Sequence, residues 1–311
     1  MQNPVDQGVR IGLSVVVMTL RGRDAVVLTR DEDAAAALPF GPFDPGRDRT
    51  FERALRDFVT DQTGFRLGFV EQLYTFGDAG RGTPRAKALQ VGGRDVSVGY
   101  LALTADAAHT PTHDARWVSI FAFFPWEDRR TAPATLDVIA EGLLAWAGDD
   151  ERRRARAQAL FALTPAHRWN EERVLERYEL LYEARLVAEA FRDQAQPAPD
   201  GVSGLPMAAD HRRILATGVG RLRSKLKYRP VLFDLTPETF TLSDLQAAAE
   251  AVSGLNLHKQ NFRRGVERTG LVEPTGLMSS ATGGRPAELF RFRGVDPQAG
   301  AAPGLSLPAQ R

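Results

Sequence analysis

The sequence contains no cysteine and no apolar run long enough to cross a membrane. Without cysteine, its 311 residues can form no disulfide, no thiolate nucleophile and no thiolate metal site. The first apolar stretch, residues 11–20, is short, lacks a basic segment before it and is followed closely by Arg21. We therefore expect a strand there, not a signal peptide or membrane span, and a cytoplasmic protein that does not bind membranes.

The sequence also has almost no net charge, but its charges are unevenly distributed. Residues 206–295 carry 14 Lys and Arg against 8 Asp and Glu, a net charge of +6, although the whole chain is only +1. The remainder is therefore net −5. A basic segment beside an acidic remainder is typical of a chain that binds a polyanion through the basic part. The alternative is an ordinary solvated surface, and charge alone favours neither.

The first part of the chain predicts an α+β domain. Apolar and β-branched runs predict two pairs of strands, at residues 9–20, 25–30, 69–77 and 95–105. Between the pairs, residues 50–65 have apolar side chains at helical spacing and reach Gly64, an expected helix C-cap. The domain is expected to end near Trp117.

The next segment predicts helices. One of them contains a run of arginines that could suggest nucleic-acid binding, but Asp149, Asp150 and Glu151 precede it. Acidic residues at a helix N-terminus favour the helix dipole, so the run is interpreted as a solvated face. The expected division of the chain is a sensing domain at 1–119, a helical insert and linker at 120–204, a third domain at 205–295 and a disordered tail at 296–311.

The third domain predicts two helices joined by a tight turn. Thr241 and Asp244 form a capping-box-like signal for the first helix, which ends at Gly254. The second helix begins near His258, with Phe262 on its inner face and amide and guanidinium side chains on the other. Such groups read base edges in the major groove and hold phosphates. This arrangement predicts a helix-turn-helix that binds double-stranded DNA.

Two alternating strands after the second helix predict a wing. Gly283 and Gly284 allow close approach to a phosphate, and Arg285 provides charge. The alternative is a basic helical hairpin that packs on its neighbour; capping, turn and wing in the right order favour DNA binding. The candidate DNA-binding residues are Thr241, Ser243, Lys259, Gln260, Asn261, Arg263, Arg264 and Arg285.

Residues 38–65 resemble a Nudix box, in which a helix carries glutamates that hold magnesium for attack of water on a diphosphate. Alignment on Gly64 places the three helix glutamates at Phe58, Asp61 and Gln62, and the upstream glutamate at Arg49. One carboxylate of the three remains; Asp57, at the arginine position, points away from their face. We therefore expect no metal site, no cofactor and no catalysis.

With the winged helix, this degenerate box makes the chain resemble the Nudix-related transcriptional regulators (NrtR-like). The similarity covers residues 10–118 and 206–293, including 71–81, 96–103, Trp117, 221–228 and 283–292. The resemblance implies an N-terminal Nudix-like α/β/α sandwich, a C-terminal winged helix and a dimeric bacterial repressor of NAD-metabolism or sugar-use operons. It also implies an effector such as ADP-ribose, or a related nucleotide or sugar phosphate, bound without cleavage. The helical segment 120–204 is the departure from shorter members.

The effector is expected over the Nudix sheet. Arginine can neutralise a phosphate and an aromatic ring can stack on a base or sugar. The candidates are Arg49, Tyr74, Phe76, Asp78, Arg81 and Tyr100. The alternative for Tyr74 and Tyr100 is a place in the core. Two other function classes stay open: an active Nudix hydrolase of nucleoside diphosphate derivatives with a DNA-binding accessory domain, and an interaction module whose helical insert binds protein.

Overall fold

The computed structural model describes residues 8–32, 35–78, 94–105, 114–131, 133–201, 203–279 and 286–294. Two candidate site residues, Arg81 and Arg285, and the expected disordered tail at 296–311 lie outside the described residues. Within the described ranges, no helix is both long and apolar enough to cross a membrane.

A mixed sheet forms the N-terminal part of the molecule. Within the described residues its order is β3-β2-β1-β6-β5, with β4 paired to β1 and β7 paired to β2. The strands are β1 (Val9–Arg21), β2 (Asp24–Glu32), β3 (Ala35–Ala37), β4 (Phe40–Pro42), β5 (Phe69–Phe76), β6 (Arg94–Leu103) and β7 (Ala115–Ser119). The predicted hairpin of β1 and β2 and the predicted pair β5 and β6 are both present and antiparallel, whereas β1 and β6 run parallel.

One face of this sheet is covered by helix α1 (Phe51–Thr63), as its apolar spacing predicts. The Thr50 hydroxyl caps the helix by accepting the Arg53 N–H, and Gly64 ends it with a φ of 69°, a left-handed conformation that glycine adopts without strain. Leu55 and Val59 of α1 are fully buried against the sheet.

The opposite face of the sheet is covered by helices from later in the chain. The helices in this part of the chain are α2 (Ile120–Phe123), α3 (Thr135–Ala147), α4 (Glu151–Phe161), α5 (Val174–Glu183), α6 (Ala188–Arg192) and α7 (His211–Lys225), and of these α2 and α7 lie directly against the strands. Residues 174–192 do not form one long helix. They are divided into α5 and α6, because Arg185 adopts a φ of 58° between them. One continuous hydrophobic core joins this face, the helical segment and the C-terminal domain.

The C-terminal domain has the predicted order of elements. A 3-10 helix (Val231–Leu235) precedes β8 (Thr239–Phe240), α8 (Leu242–Ser253), α9 (Lys259–Thr269), β9 (Val272–Ser279) and β10 (Ala287–Phe292), and the strands form a sheet in the order β8-β10-β9. The capping box is present in full: the Thr241 hydroxyl accepts the Asp244 N–H at 3.1 Å and the Asp244 carboxylate accepts the Thr241 N–H at 3.0 Å.

The C-terminal domain is held directly against the rest of the molecule. The Arg129 N–H donates to the Gly254 carbonyl at 2.7 Å, and the Asn256 amide donates to the Arg130 carbonyl at 2.6 Å. Arg23, in the turn between β1 and β2, forms an ion pair with Glu250 of α8 at 3.3 Å. The end of α8 and the turn after it are therefore fixed to the sheet hairpin and to the start of the helical segment.

Candidate functional site

Helix α9 has one buried face and one exposed polar face. Phe262 is 2% exposed and Val266 is fully buried, as their spacing predicts. The other face carries an exposed set of cationic and amide side chains, namely Lys259, Gln260, Asn261 and Arg264, while Arg263 is half-buried beside it. The Arg264 guanidinium donates to the Asn261 amide oxygen at 2.7 Å, so the two side chains are already held together on the free surface. This face can reach base edges and phosphates at once.

The beginning of α8 contributes differently. Ser243 is exposed, whereas the Thr241 hydroxyl is engaged in the capping box and the residue is 9% exposed. The Thr241 side chain therefore stabilises the start of the helix, and the backbone of Thr241 is the part of this residue that can contact DNA.

The structure alters how the basic charge of residues 206–295 is distributed. The composition of α7 suggests a basic surface, but Arg212 and Arg223 are fully buried and bind Glu189 and Glu127. The other α7 cations, and Lys227 just after it, face acidic residues: Arg213 with Asp78 and Glu179, Arg221 and Lys225 with Glu71, and Lys227 with Glu171 and Glu172. Much of the excess positive charge thus binds the acidic remainder of the same chain, and α9 presents exposed cations to solvent.

The wing consists of β9 and β10, which pair antiparallel as predicted. Arg291 and Arg293 of the wing face Glu273, so their charges are shared within the sheet. Leu277 and Met278 are exposed on β9. The glycines and Arg285 that were expected to approach a phosphate lie outside the described residues.

The residues that resemble a Nudix box form a packing surface. The Phe58 ring lies against Gly41, where an added Cβ would come within 3.2 Å of the ring. The Gln62 amide donates to the Phe40 carbonyl at 2.8 Å. Asp57 is exposed and faces Arg53, and Arg49 and Asp61 are exposed. An aromatic ring and an amide therefore occupy the positions where two ligands would hold the cation, and these residues do not fit a magnesium site.

No group of three or more His, Asp or Glu side chains is placed to hold a metal ion anywhere in the described ranges.

A cleft of about 540 Å³ lies between the sheet and the start of α7. Its floor is the beginning of β1 and β6, where the Ser14 and Ser97 hydroxyls are 3.1 Å apart. Residues 40–42 of β4 and 76–78 after β5 form two walls, and residues 208–211 close the third side. The cleft thus lies where the N-terminal sheet meets the helix that leads into the C-terminal domain.

His211 lies at the boundary between this cleft and the core. It is 5% exposed, its ring packs on Phe40 with centroids 5.0 Å apart, and its Nδ1 accepts the Leu38 N–H at 3.2 Å. Burial, and then the charge of Arg192, lower the pKa of His211 to about 4. The imidazole is therefore neutral near pH 7, and because Nδ1 accepts a hydrogen bond the proton is on Nε2.

The structure separates the candidate effector residues. Phe76 and Asp78 line the cleft, and Asp78 also pairs with Arg213 of α7. Tyr74 is 62% exposed, and Tyr100 is buried under α1 on the opposite face of the sheet, where burial raises its pKa. Arg49 is exposed before α1 and does not line the cleft. Ser14, Ser97 and His211 also line the cleft, although the sequence does not predict it, since a serine in a strand and a histidine at a helix start belong to no motif.

Comparison with known proteins identifies the C-terminal domain. A family profile described as the NrtR DNA-binding winged helix domain matches residues 232–292. The ADPR responsive transcriptional repressor NtrR of Acinetobacter baylyi is 35% identical over 120 residues, which are 36% of this chain and 48% of that protein. The chain therefore matches about half the length of this curated relative.

Two solved structures share the fold along most of the chain. NrtR of Shewanella oneidensis, solved with a 27mer DNA, has a TM-score of 0.53 at 21% identity over 91% of this chain and 93% of its own. A MutT/nudix family protein of Enterococcus faecalis has a TM-score of 0.53 at 14% identity over 94% and 90%. They confirm the expected fold class, a Nudix domain with a C-terminal winged helix. The chain thus carries an NrtR-type winged helix domain at residues 232–292 and shares the two-domain fold of NrtR, in which a Nudix fold precedes that domain.

Proposed function

We propose that this chain is a transcriptional regulator, a repressor, that binds operator DNA through α9 and the wing. The observation that carries the proposal is the exposed amide and guanidinium face of α9, on a helix anchored by Phe262 and Val266. The profile match over 232–292 supports it, as does the similarity to the A. baylyi relative, which is a transcriptional repressor. A protein with this role works in the cytoplasm, where its operator is.

Operator recognition in this proposal uses two copies of α9. A homodimer presents one recognition helix per half-site, about one turn of duplex apart, so the operator is palindromic. Gln260, Asn261 and Arg264 contact base edges, with Arg263 beside them, and Lys259 contacts phosphate. The Arg264–Asn261 hydrogen bond opens or reorients when a guanine or adenine edge takes its place.

The test uses duplexes selected by the protein from random-sequence DNA. Arg264→Ala removes a base contact worth about 1–3 kcal/mol, so affinity for the selected duplex falls about tenfold or more and selectivity over scrambled DNA is lost. Fluorescence anisotropy at several salt concentrations measures both effects. Arg156→Ala, an exposed arginine on α4 paired with Glu183, is the matched control and leaves binding unchanged.

The same assay separates contacts with bases from contacts with phosphates. Arg285→Ala is expected to weaken all duplexes alike and to flatten the salt dependence. Unchanged binding in both Arg264→Ala and Arg285→Ala would refute the assignment of this face.

We further propose that the Nudix domain binds ADP-ribose, or a related phosphorylated metabolite, without hydrolysing it. The description of the A. baylyi relative as ADPR responsive supports the ligand. The packing of Phe58 on Gly41 and the bond from Gln62 to Phe40 support the absence of hydrolysis, because they fill positions that a catalytic cation would need. Chromatography of ADP-ribose incubated with the protein and magnesium tests this: the ligand is recovered intact.

Helix α7 is the proposed connection between effector and DNA. It begins at the cleft with His211, and over 15 residues, about 22 Å, it reaches α8, where the Arg223 guanidinium donates to the Val252 carbonyl at 2.8 Å. Gly220 allows close packing on the way, since a Cβ there would lie 2.8 Å from the Glu172 carbonyl oxygen. A ligand that prefers one position of α7 shifts the equilibrium between dimer arrangements with different affinities for DNA.

A further inference from the structure

Among the described residues, the charges that line the cleft between the sheet and α7 are predominantly negative. The lining includes four carboxylates, Glu32, Asp78, Asp95 and Asp210, against Arg10. Arg10 is already bonded to Asp95 at 2.7 Å. Behind the lining, Arg213 is bonded to Asp78 and lies 3.3 Å from Asp210. A phosphate placed in this cleft would face these carboxylates, and Arg10 and Arg213 already have carboxylate partners.

The uncharged groups of the cleft suit a different part of a ligand. The Ser14 and Ser97 hydroxyls on the floor can each donate and accept a hydrogen bond. Phe40 and Phe76 provide aromatic walls against which a ring can pack. Carboxylates at the rim accept hydrogen bonds from sugar hydroxyls, which is a common way for proteins to hold a ribose.

His211 adds a fixed donor to this set. Its Nδ1 is occupied by the Leu38 N–H, so Nε2 carries the proton. Within the described part of the chain, no hydrogen bond engages Nε2, although the residue is more than nine-tenths buried and lines the cleft. Nε2 is not among the side-chain atoms that are buried without a partner, so it is open to the cleft and can donate to an acceptor on a bound ligand.

We propose that this cleft binds the uncharged, hydroxyl-bearing ring portion of the effector, a ribose or nucleoside end, and excludes its phosphates. The His211 Nε2–H donates to a ligand oxygen, the two serine hydroxyls hold the sugar, and the diphosphate lies outside the acidic rim. The proposal rests on the effector-sensing role described above and specifies which part of the effector touches the start of α7. The ligand therefore affects the position of α7 through its sugar and not through its phosphates.

Competition against ADP-ribose tests which end the cleft takes. Fluorescently labelled ADP-ribose bound to the full chain is challenged with adenosine, ribose or inorganic pyrophosphate. Adenosine or ribose is expected to displace it at millimolar concentration, whereas pyrophosphate is not. Displacement by pyrophosphate alone would overturn the proposal.

Two substitutions locate the contact. His211→Asn keeps an acceptor for the Leu38 N–H but removes the Nε2 donor, and it is expected to weaken ADP-ribose binding by about tenfold, the equivalent of one hydrogen bond. His167→Asn, at a histidine bonded to Thr164, is the matched control and has no effect. Glu32→Gln removes a rim charge: tighter binding of ADP-ribose would mean that phosphate occupies the cleft and would overturn the proposal, whereas equal or weaker binding supports it.

Failure of the wider functional proposal gives a different pattern. If the wild-type chain binds selected DNA but gives no heat with ADP-ribose in calorimetry, the assigned effector is wrong, and the cleft is then titrated with adenosine and ribose directly. Binding of either that is lost in His211→Asn supports the cleft assignment, and no binding of either overturns it. Absence of DNA binding overturns the regulatory role without bearing on these titrations.

Discussion

Glu127 is the shared counter-ion of two fully buried arginines, and replacing it tests how firmly the helical segment joins the two functional domains. Its carboxylate accepts from Arg177 Nε at 2.6 Å and Nη2 at 2.9 Å, and from Arg223 of α7. Although burial raises it, the charges and hydrogen bonds of Arg177 and Arg223 lower the pKa of Glu127 below its ordinary value. The carboxylate is thus charged between two cations that belong to α5 and α7.

Glu127→Gln leaves both guanidiniums in the core without a negative partner. Removal of one member of a buried ion pair costs about 3–5 kcal/mol of the free energy of unfolding, a large share of the roughly 5–15 kcal/mol typical of a folded protein. Arg177 retains its bond to the Asn170 carbonyl at 2.8 Å and its stacking on Trp169, which places the expected loss near the lower end.

Urea denaturation followed by tryptophan fluorescence measures the loss, since Trp126 and Trp169 lie beside this cluster. The control is Glu183→Gln, whose partner Arg156 is nearly half exposed, so the cost is below about 1 kcal/mol. Because one core joins the sheet, the helical segment and the C-terminal domain, we expect a single transition, shifted in Glu127→Gln. A loss no larger than the control, or a second transition that remains at the wild-type urea concentration, would refute the reasoning.

Two further predictions concern single side chains. Thr241→Ala removes the N-cap of α8 and is expected to cost about 1 kcal/mol by urea denaturation while Ser243→Ala costs little, and equal effects would contradict the capping role. The pKa of His211 is lowered to about 4 in the folded chain, against about 6.5 in the unfolded chain. The neutral imidazole therefore makes its full contribution to the free energy of unfolding above pH 6.5, and this contribution, about 3 kcal/mol, is lost as the pH falls to 4. His211→Asn should remove that part of the acid sensitivity, measured as the difference from wild type because carboxylates titrate in the same range; identical pH profiles would contradict it.

The sequence predicts best where short-range interactions decide the structure. The hairpin of β1 and β2, the left-handed C-cap at Gly64 and the capping box of Thr241 each depend on neighbours within a few residues, and each is present. The two faces of α9 follow from helical spacing in the same way. Short-range interactions thus determine the helix that we propose to contact DNA and the elements that support it.

Long-range pairing is what the sequence does not reveal. Arg212 and Arg223 lie in a helix whose composition suggests a basic surface, yet their partners are Glu189 and Glu127, distant in the chain. Arginine is usually exposed in folded proteins, so the sequence predicts exposed arginines here. The folded structure shows which of them pair with a buried carboxylate. The positive charge available to DNA is consequently concentrated on α9 more than the net charge of the segment implies.

The candidate effector residues show a second limit, which is strand register. A register shift between Gln72 and Thr75 interrupts the pairing of β5 with β6. Phe76 is buried beside the cleft while Tyr74, whose ring meets it edge-on with centroids 5.4 Å apart, is exposed at this interruption. Tyr100 belongs to the core under α1, the alternative that its place in a strand left open. A bulge has no dependable sequence signal, so side-chain direction beyond it could not be predicted.

The most direct test of the central claim is one titration of ADP-ribose into the full chain bound to a duplex selected from random-sequence DNA, with magnesium present. We expect tight, salt-sensitive DNA binding, a change of about fivefold or more in the affinity for the duplex on addition of ADP-ribose, and recovery of the ligand uncleaved. A chain that ignores DNA at low ionic strength and hydrolyses ADP-ribose at enzyme-like rates would contradict it.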